Sequence, residues 1–598
     1  MAEQPTGTRK RKQAATALSK DSRADEIDAA KSGAHAASRG GIVQRMLWVT
    51  LLSALAFAVY KNSPAVRRYA GIWLGVQDDA VELHGTRRAD FIGFEADVPR
   101  RDAVVEAFKH AWSAYERDAM GADEYHPISR NGSDLTPAGG IGYTVVDSLD
   151  TMLLMGLADE YARARAWVAT NMTFERDASF NTFETTIRVL GGLLSAYHLS
   201  GEDALFLDKA KELADRLLPA FDTPSGLPLS MINLAKREGI SDKDNQGLVS
   251  TAEASTLQLE FRYLAHLTDE DIYWRKAERV MAVIRAGRMP PGLASIFMNP
   301  NDGRFVTSAI RLGSRGDSYY EYLLKQYVQT DLTEGVYRDM YDDAVQAIHD
   351  HLIQKSMTSG LTYTSELIPE RDPTGQISWR LTPKQDFLVC FFGGTLMLGA
   401  TRTGAVAHPV SVPPRVEELS ETGRRDWHTG VELIRTCMNT HDTQTGLAPE
   451  IAYFRIPSDD VGSVLPNAPR DWYIKGARRG AFPPYDARYI LRPETVESLF
   501  VAFRLTGDRR YREWGWRIFQ SIQTHCRIPT GGYAAIVNVD EVPVRHEDKM
   551  ETFLMSETLK YLFLLFSDGD VIPLDKYVFN TEAHPLPIFT PTIRTGFT

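Results

Sequence analysis

Glu124 in ADEYHP, Glu253 in STAEASTLQLEF, Glu450 in TGLAPEIAYF, Glu494 and Glu497 in YILRPETVESLF and Glu557 in MSETLKYLFLLF all stand among small, apolar or aromatic residues. Charged side chains are seldom buried unless they are paired or used. A lone acid of this kind is adequately explained as a helix cap or a first-turn partner of the helix dipole, and Glu494, directly after Pro493, fits that explanation well. Several such acids at helix starts and in inter-helix loops suggest more. Carboxylates that converge could perform acid and base catalysis on a sugar, or grip a hard cation.

The bulk sequence narrows the alternatives. Its 598 residues, 43% hydrophobic and 24% charged, suffice for a large globular core, and a net charge of −11 argues against a nucleic-acid binder. No Gly-rich phosphate loop, His-Glu-x-x-His or Gly-x-Ser-x-Gly elbow occurs. Cys390, Cys437 and Cys526 are too few for a zinc cluster and leave room for one disulfide and one free thiol.

The elements that must position the acids read as helices, with little that is strand-like. Val105, Phe108, Trp112 and Tyr115 recur at helix spacing after Pro99, marking a core face. HLSGEDALFLDKA, HLTDEDIYWRKA and RLTGDRRYREWG repeat one phrase: a helix ending, an acidic turn, then an aromatic residue whose fourth successor is small. Repeated helical hairpins of this kind stack into a solenoid or close into a ring; their irregular spacing and long loops favour an α/α barrel. In LGSRGDSYYEYLLKQYV, Ser318 and Glu321 form a predicted capping box, which leaves Asp317 ahead of the cap and Gly316 as the turn. An adhesion role for Arg315-Gly316-Asp317 does not suit a tripeptide leading straight into an aromatic helix.

Residues 1–45 read as a polar, disordered cytosolic tail, and Met46 to Tyr60 as a single transmembrane anchor with Ile42, Val43 and basic flanks extending its reach. Residues 61–93 read as a luminal stem and 94–598 as the catalytic domain. Basic residues of the tail favour a cytosolic N-terminus, and the sequons at Asn131 and Asn171 suit a luminal remainder.

FKHAWSAYERDAMGADEYHP, GYTVVDSLDTMLLMGL, STLQLEFRYL, GDSYYEYLLKQYV, LRPETVESLFVAFRLTGD and VFNTEAHPLPIF together resemble the class I α-1,2-mannosidases of glycoside hydrolase family 47. The resemblance runs from about Phe94 to Pro587. It implies an all-α (α/α)7 barrel, a type II anchor in the endoplasmic reticulum or Golgi, and Ca2+-dependent, inverting trimming of oligomannose N-glycans. By the same resemblance Glu124 is the general acid, Asp317 and Glu494 are the candidates for the base, and Glu450 is a further catalytic acid. Thr581 is implied as the Ca2+ ligand, with Glu582 and Glu557 around it. Arg492, Phe553, Glu497 and Glu557 are implied substrate contacts, and Arg315 is the selector of glycan branch that marks the endoplasmic reticulum type. Cys390 and Cys437 are implied as a disulfide. Tyr125, Ala254-Ser255 and the TPKQDFLVCFFGG phrase depart from the family's usual residues, and none of these departures replaces an implied catalytic or calcium residue. A glycan-binding receptor in glycoprotein quality control, a Golgi-type mannosidase and a helical scaffold are the competing readings.

Overall fold

The computed structural model describes residues 94–593 and 596, apart from 288, 290–291, 457–469 and 479. The expected tail, the anchor at 46–60 and the stem at 61–93 lie outside the described residues, among which no helix is long and apolar enough to cross a membrane.

Fourteen helices of eight or more residues occur among the described residues. In chain order they are α1 (Val98–Ala119), α2 (Tyr143–Met155), α3 (Ala158–Thr170), α4 (Gly191–Leu199), α5 (Ala204–Leu217), α6 (Gln258–Thr268) and α7 (Asp271–Gly287). Then follow α8 (Asp317–Gln329), α9 (Gly335–His351), α10 (Phe391–Arg402), α11 (Glu421–Thr440), α12 (Glu494–Thr506), α13 (Arg509–His525) and α14 (Leu559–Phe566). The even-numbered helices touch one another in succession, and the wider π turn Leu554–Thr558 that leads into α14 returns to α2, closing a ring. Each odd-numbered helix backs an even-numbered neighbour, so six hairpins and the α14–α1 pair, seven helix pairs in all, form a helical barrel.

Residue patterning explains which helices are inside. A helix that is apolar on one stripe lies at a surface, whereas one buried all round lies in a core. In α8 every residue from Ser318 to Gln329 is buried, and α14 is buried along its whole length, while α3 buries only Ala164 and Val168. The three repeated phrases are the turns α4–α5, α6–α7 and α12–α13; Asp203 and Asp508 cap the helices that follow by accepting from Leu205 N and Arg510 N. Phe206, Tyr273 and Tyr511 are buried beside their small partners Ala210, Ala277 and Gly515. Gly393 and Gly430 let α10 and α11 approach backbone to backbone: a Cβ on Gly430 would lie 2.7 Å from Gly393 O.

Several expectations need correction. Nineteen strands occur among the described residues, none longer than six residues, in the connections between helices and in the segment after the last helix; segments this short carry too few alternations to register as strands. Val105 is only half-buried, and Val104 takes its place in the core. The predicted capping box is absent: α8 begins at Asp317, Ser318 Oγ accepts from Thr256 Oγ1 at 2.8 Å, and Glu321 is engaged elsewhere. The turn before α8 is made by Arg315, at φ 71°, and not by Gly316, at φ −127°. Gly316 is required for space, since a Cβ there would lie 2.2 Å from Arg311 O.

Candidate active site

A cavity of about 320 Å³ opens at one end of the barrel, where α8 and α12 begin and the loop carrying Thr581 enters. Eight carboxylates line it, from Glu184, Glu253, Asp317, Glu321, Glu494, Glu497, Glu557 and Glu582, against three guanidinium groups from Arg188, Arg315 and Arg492. Phe553 forms part of the wall, with the Arg188 and Arg492 guanidinium carbons 5.9 and 5.8 Å from its ring centroid.

Asp317 and Glu494 each occupy the first position of an inner helix, where the unpaired N–H groups favour a carboxylate. Burial outweighs that help and pushes both groups up to about 7. Asp317 Oδ1 accepts from Ser318 N at 2.8 Å. Arg492 stands 3.7 Å from Glu494 Oε1, but Glu494 Oε2 is buried without a hydrogen-bond partner among the described residues. Burial likewise drives Glu497 and Glu582 up to about 8 and Glu557 well above the carboxylate range.

The loop after Phe579 is held from below. Asn580 Oδ1 accepts from Glu582 N and His584 N, and Asn580 Nδ2 donates to Glu260, so the turn is fixed before Thr581 acts on anything. Thr581 N donates to Tyr322 Oη at 3.2 Å, and its hydroxyl donates to Glu321 Oε2 at 2.9 Å. Arg188 is ion-paired with Glu582, and Lys325 with Glu321.

Glu124 stands apart from this cavity. It opens the short strand β1 (Glu124–His126), paired antiparallel with β2 (Asn131–Ser133), and lines a neighbouring cavity of about 370 Å³. The two cavities share Glu184 and Arg188 as a common wall. Lys549 Nζ lies 3.0 Å from Glu124, and Ser133 Oγ donates to it at 3.3 Å. The adjacent Asp123 is structural: its Oδ1 accepts from Ile141 N, Gly142 N and Tyr143 N, capping α2.

Of the other residues singled out by sequence, Arg315, Arg492, Glu497, Glu557, Phe553, Thr581 and Glu582 all reach the deep cavity. Arg315 lies 3.5 Å from Glu253 and 5.2 Å from the Phe297 ring centroid. Glu450 does not reach it; both its oxygens, at 2.8 and 3.0 Å, accept from Arg492 Nε, placing it behind the arginine. Cys390 and Cys437 form a disulfide and Cys526 is a buried free thiol. Asn131 and Asn171 are both exposed. Sequence reasoning missed Glu184, Arg188 and Lys325 and took Glu321 for a helix cap. The available signal was an acid and a base four residues apart within apolar helix, FETTIRVL and YEYLLKQ.

A closed helical barrel with an acid-rich, aromatic-walled cavity at one end has the architecture a glycoside hydrolase needs. The chain belongs to Glycosyl hydrolase family 47, whose sequence profile matches residues 107–588. It is 43% identical over 510 residues to a mannosyl-oligosaccharide 1,2-alpha-mannosidase of Candida albicans, covering 84% of this chain and 85% of that one. It is 43% identical to the endoplasmic reticulum mannosyl-oligosaccharide 1,2-alpha-mannosidase of Homo sapiens, covering 82% and 64% respectively. The enzyme of the same name from Schizosaccharomyces pombe is 42% identical, with 82% and 89% covered. Among solved structures, the alpha-1,2-mannosidase from Trichoderma reesei superposes with a TM-score of 0.71 at 28% identity, covering 83% of this chain and all of that one.

Proposed function

We propose that this chain is a mannosyl-oligosaccharide 1,2-α-mannosidase that removes terminal α-1,2-linked mannose from oligomannose N-glycans of luminal glycoproteins, with inversion at the anomeric carbon and with Ca2+. The observation that carries the reading is the wall of the deep cavity, where eight carboxylates, a threonine hydroxyl and three phenylalanines meet. The names of the relatives support the same substrate class.

The donor set suits a hard, oxygen-seeking cation. Eight carboxylates face three guanidinium groups, with the Lys325 ammonium beside Glu321 and Glu497, and Glu494 keeps a buried oxygen without a hydrogen-bond partner among the described residues, so acidic oxygens remain for a cation to satisfy. Among the described residues no three His, Cys, Asp or Glu side chains converge as a ready-made metal cage. In the proposed reading Thr581 would hold Ca2+ through its hydroxyl and backbone carbonyl, with Glu557 and Glu582 acting through water. When bound, the ion supplies a positive centre for the vicinal hydroxyls of the sugar.

In this reading Glu124 gives a proton to the glycosidic oxygen as the bond to the anomeric carbon breaks. A carboxylate on the opposite side takes a proton from the attacking water, as inverting hydrolysis requires. The free Oε2 of Glu494 favours that residue as the base, with Asp317 beside it as the second candidate. Phe553 supports the sugar face, Arg492 is aimed by Glu450, and Arg315 selects the branch. A role in glycoprotein quality control, residence in the endoplasmic reticulum or early Golgi, and type II anchoring through 46–60 complete the proposal. The test is isomer analysis of a nine-mannose glycan after incubation with the full-length chain and Ca2+. Removal of mainly one mannose, from the middle branch, is expected; no free mannose with Ca2+ present would reject the reading.

A further inference from the structure

The segment Lys549–Glu551 lies across the hairpin that carries Glu124. Tyr125 and Met550 form an antiparallel bridge, with Met550 N donating to Tyr125 O at 3.0 Å. Side chains alternate along extended backbone, so Lys549 and Glu551 fall on the face opposite to that of Met550, and Glu124 on the face opposite to that of Tyr125. This alternation brings the three charged groups together. Lys549 Nζ stands 3.0 Å from Glu124 Oε1 and 3.3 Å from Glu551 Oε1, one ammonium between two carboxylates. All three line the same cavity.

An ammonium group held only by Glu124 would favour its ionised form and oppose its use as an acid. A second carboxylate within reach of the same ammonium relieves that bias. We propose that Lys549 is a shared counter-ion, and that Glu551 is a positioning residue which takes up Lys549 whenever Glu124 carries its proton. The balance is simple: one proton enters the triad on Glu124, the ammonium hydrogen bond moves from Glu124 to Glu551, and the same proton leaves with the departing sugar. Burial raises Glu551, which makes a nearby positive charge valuable to it.

Other charged groups face the triad and are accounted for. Glu184 and Arg188 form the opposite wall and are paired with each other at 2.7 Å. Asp123 is committed to the α2 backbone. His126 bonds Ser133 Oγ and Asp548 O, and the Asp548 carboxylate accepts from Ile128 N and Ser129 N. Tyr143 is bonded to Thr185. None of these offers Lys549 an alternative to Glu124 and Glu551.

The inference rests on the reading of Glu124 as the acid of an α-mannosidase, and its test separates the two. The pH dependence of kcat/KM is measured with Ca2+ and a nine-mannose glycan for the full-length chain and for E124Q, K549M, K549R and E551Q. K549M should move one limb of the profile upward by roughly one pH unit or more, because Glu124 loses its cation. E551Q should move the same limb downward by a similar amount, because the ammonium then belongs to Glu124 alone. K549R should restore the native limb. Limbs that stay in place in K549M and E551Q while E124Q abolishes turnover would overturn the shared counter-ion alone. Turnover retained in E124Q would overturn the reading beneath it as well. A lowered kcat with an unmoved profile marks a merely structural role and counts against the proposal.

Discussion

At the floor of the barrel eight carboxylates face three guanidinium groups, whereas at the β1–β2 hairpin Glu124 has an ammonium 3.0 Å away and a hydroxyl at 3.3 Å. The two regions share a wall, Glu184 and Arg188, but not a charge balance. At the floor, helix starts bring together more acids than the arginines and Lys325 offset, which in the proposed function suits a metal ion and a base. At the hairpin each acid has a local partner, which suits a group that must gain and lose a proton. One barrel thus balances charge differently at two adjoining places, which is what separate acid and base roles would need.

The largest expected effect lies at the hairpin. E124Q should lower kcat by roughly 10²- to 10⁴-fold, the usual worth of a general acid, while the glycan still binds in a surface plasmon resonance experiment. If binding and folding disappear together with turnover, Glu124 belongs to the structure and the contrast between the regions fails. At the floor, Ca2+ should raise the melting temperature of the native chain and T581A should abolish that rise, since a ligand that binds only the folded state stabilises it. An unchanged calcium response in T581A would move the ion elsewhere.

Branch selection is a smaller effect. R315L should change the order in which mannoses leave and lower kcat/KM on the nine-mannose glycan on the order of tenfold, the scale of one charged hydrogen bond. Product isomers from timed digests read this directly.

The smallest effect is on stability. Asp317 and Glu494 titrate at about 7 when folded and near 4 when unfolded, so their contribution is fully present below about pH 4 and is lost as pH rises through about 7. The chelated chain should therefore melt at progressively lower temperature between about pH 4 and pH 7, and D317N or E494Q should flatten that slope. A melting temperature that rises across the same window would contradict the acid-crowded floor.

Much of this was legible in the residues. Helix-period patterning and the three repeated hairpin phrases marked the barrel, and acids such as Glu494 and Glu557 stood out because their neighbours are apolar. What escaped detection had physical reasons. Glu184 and Arg188, or Glu321 and Lys325, look from sequence like ordinary four-residue helix pairs, and only the ring turns them towards one cavity. The capping box was a local rule overridden by tertiary partners, since Thr256 claims Ser318 and Lys325 and Thr581 claim Glu321. Lys549 sits some 400 residues from Glu124, and nothing short of the Tyr125–Met550 bridge reveals that they meet.

The central claim, that an acid at the hairpin and a base at the floor act from opposite sides of one sugar, is tested most directly by the anomer released. Proton NMR during the first minutes of digestion of an oligomannose glycan with the calcium-supplied chain should show β-mannose appearing first, followed by slow mutarotation to α. Release of α-mannose as the first product would mean retention and would contradict the account.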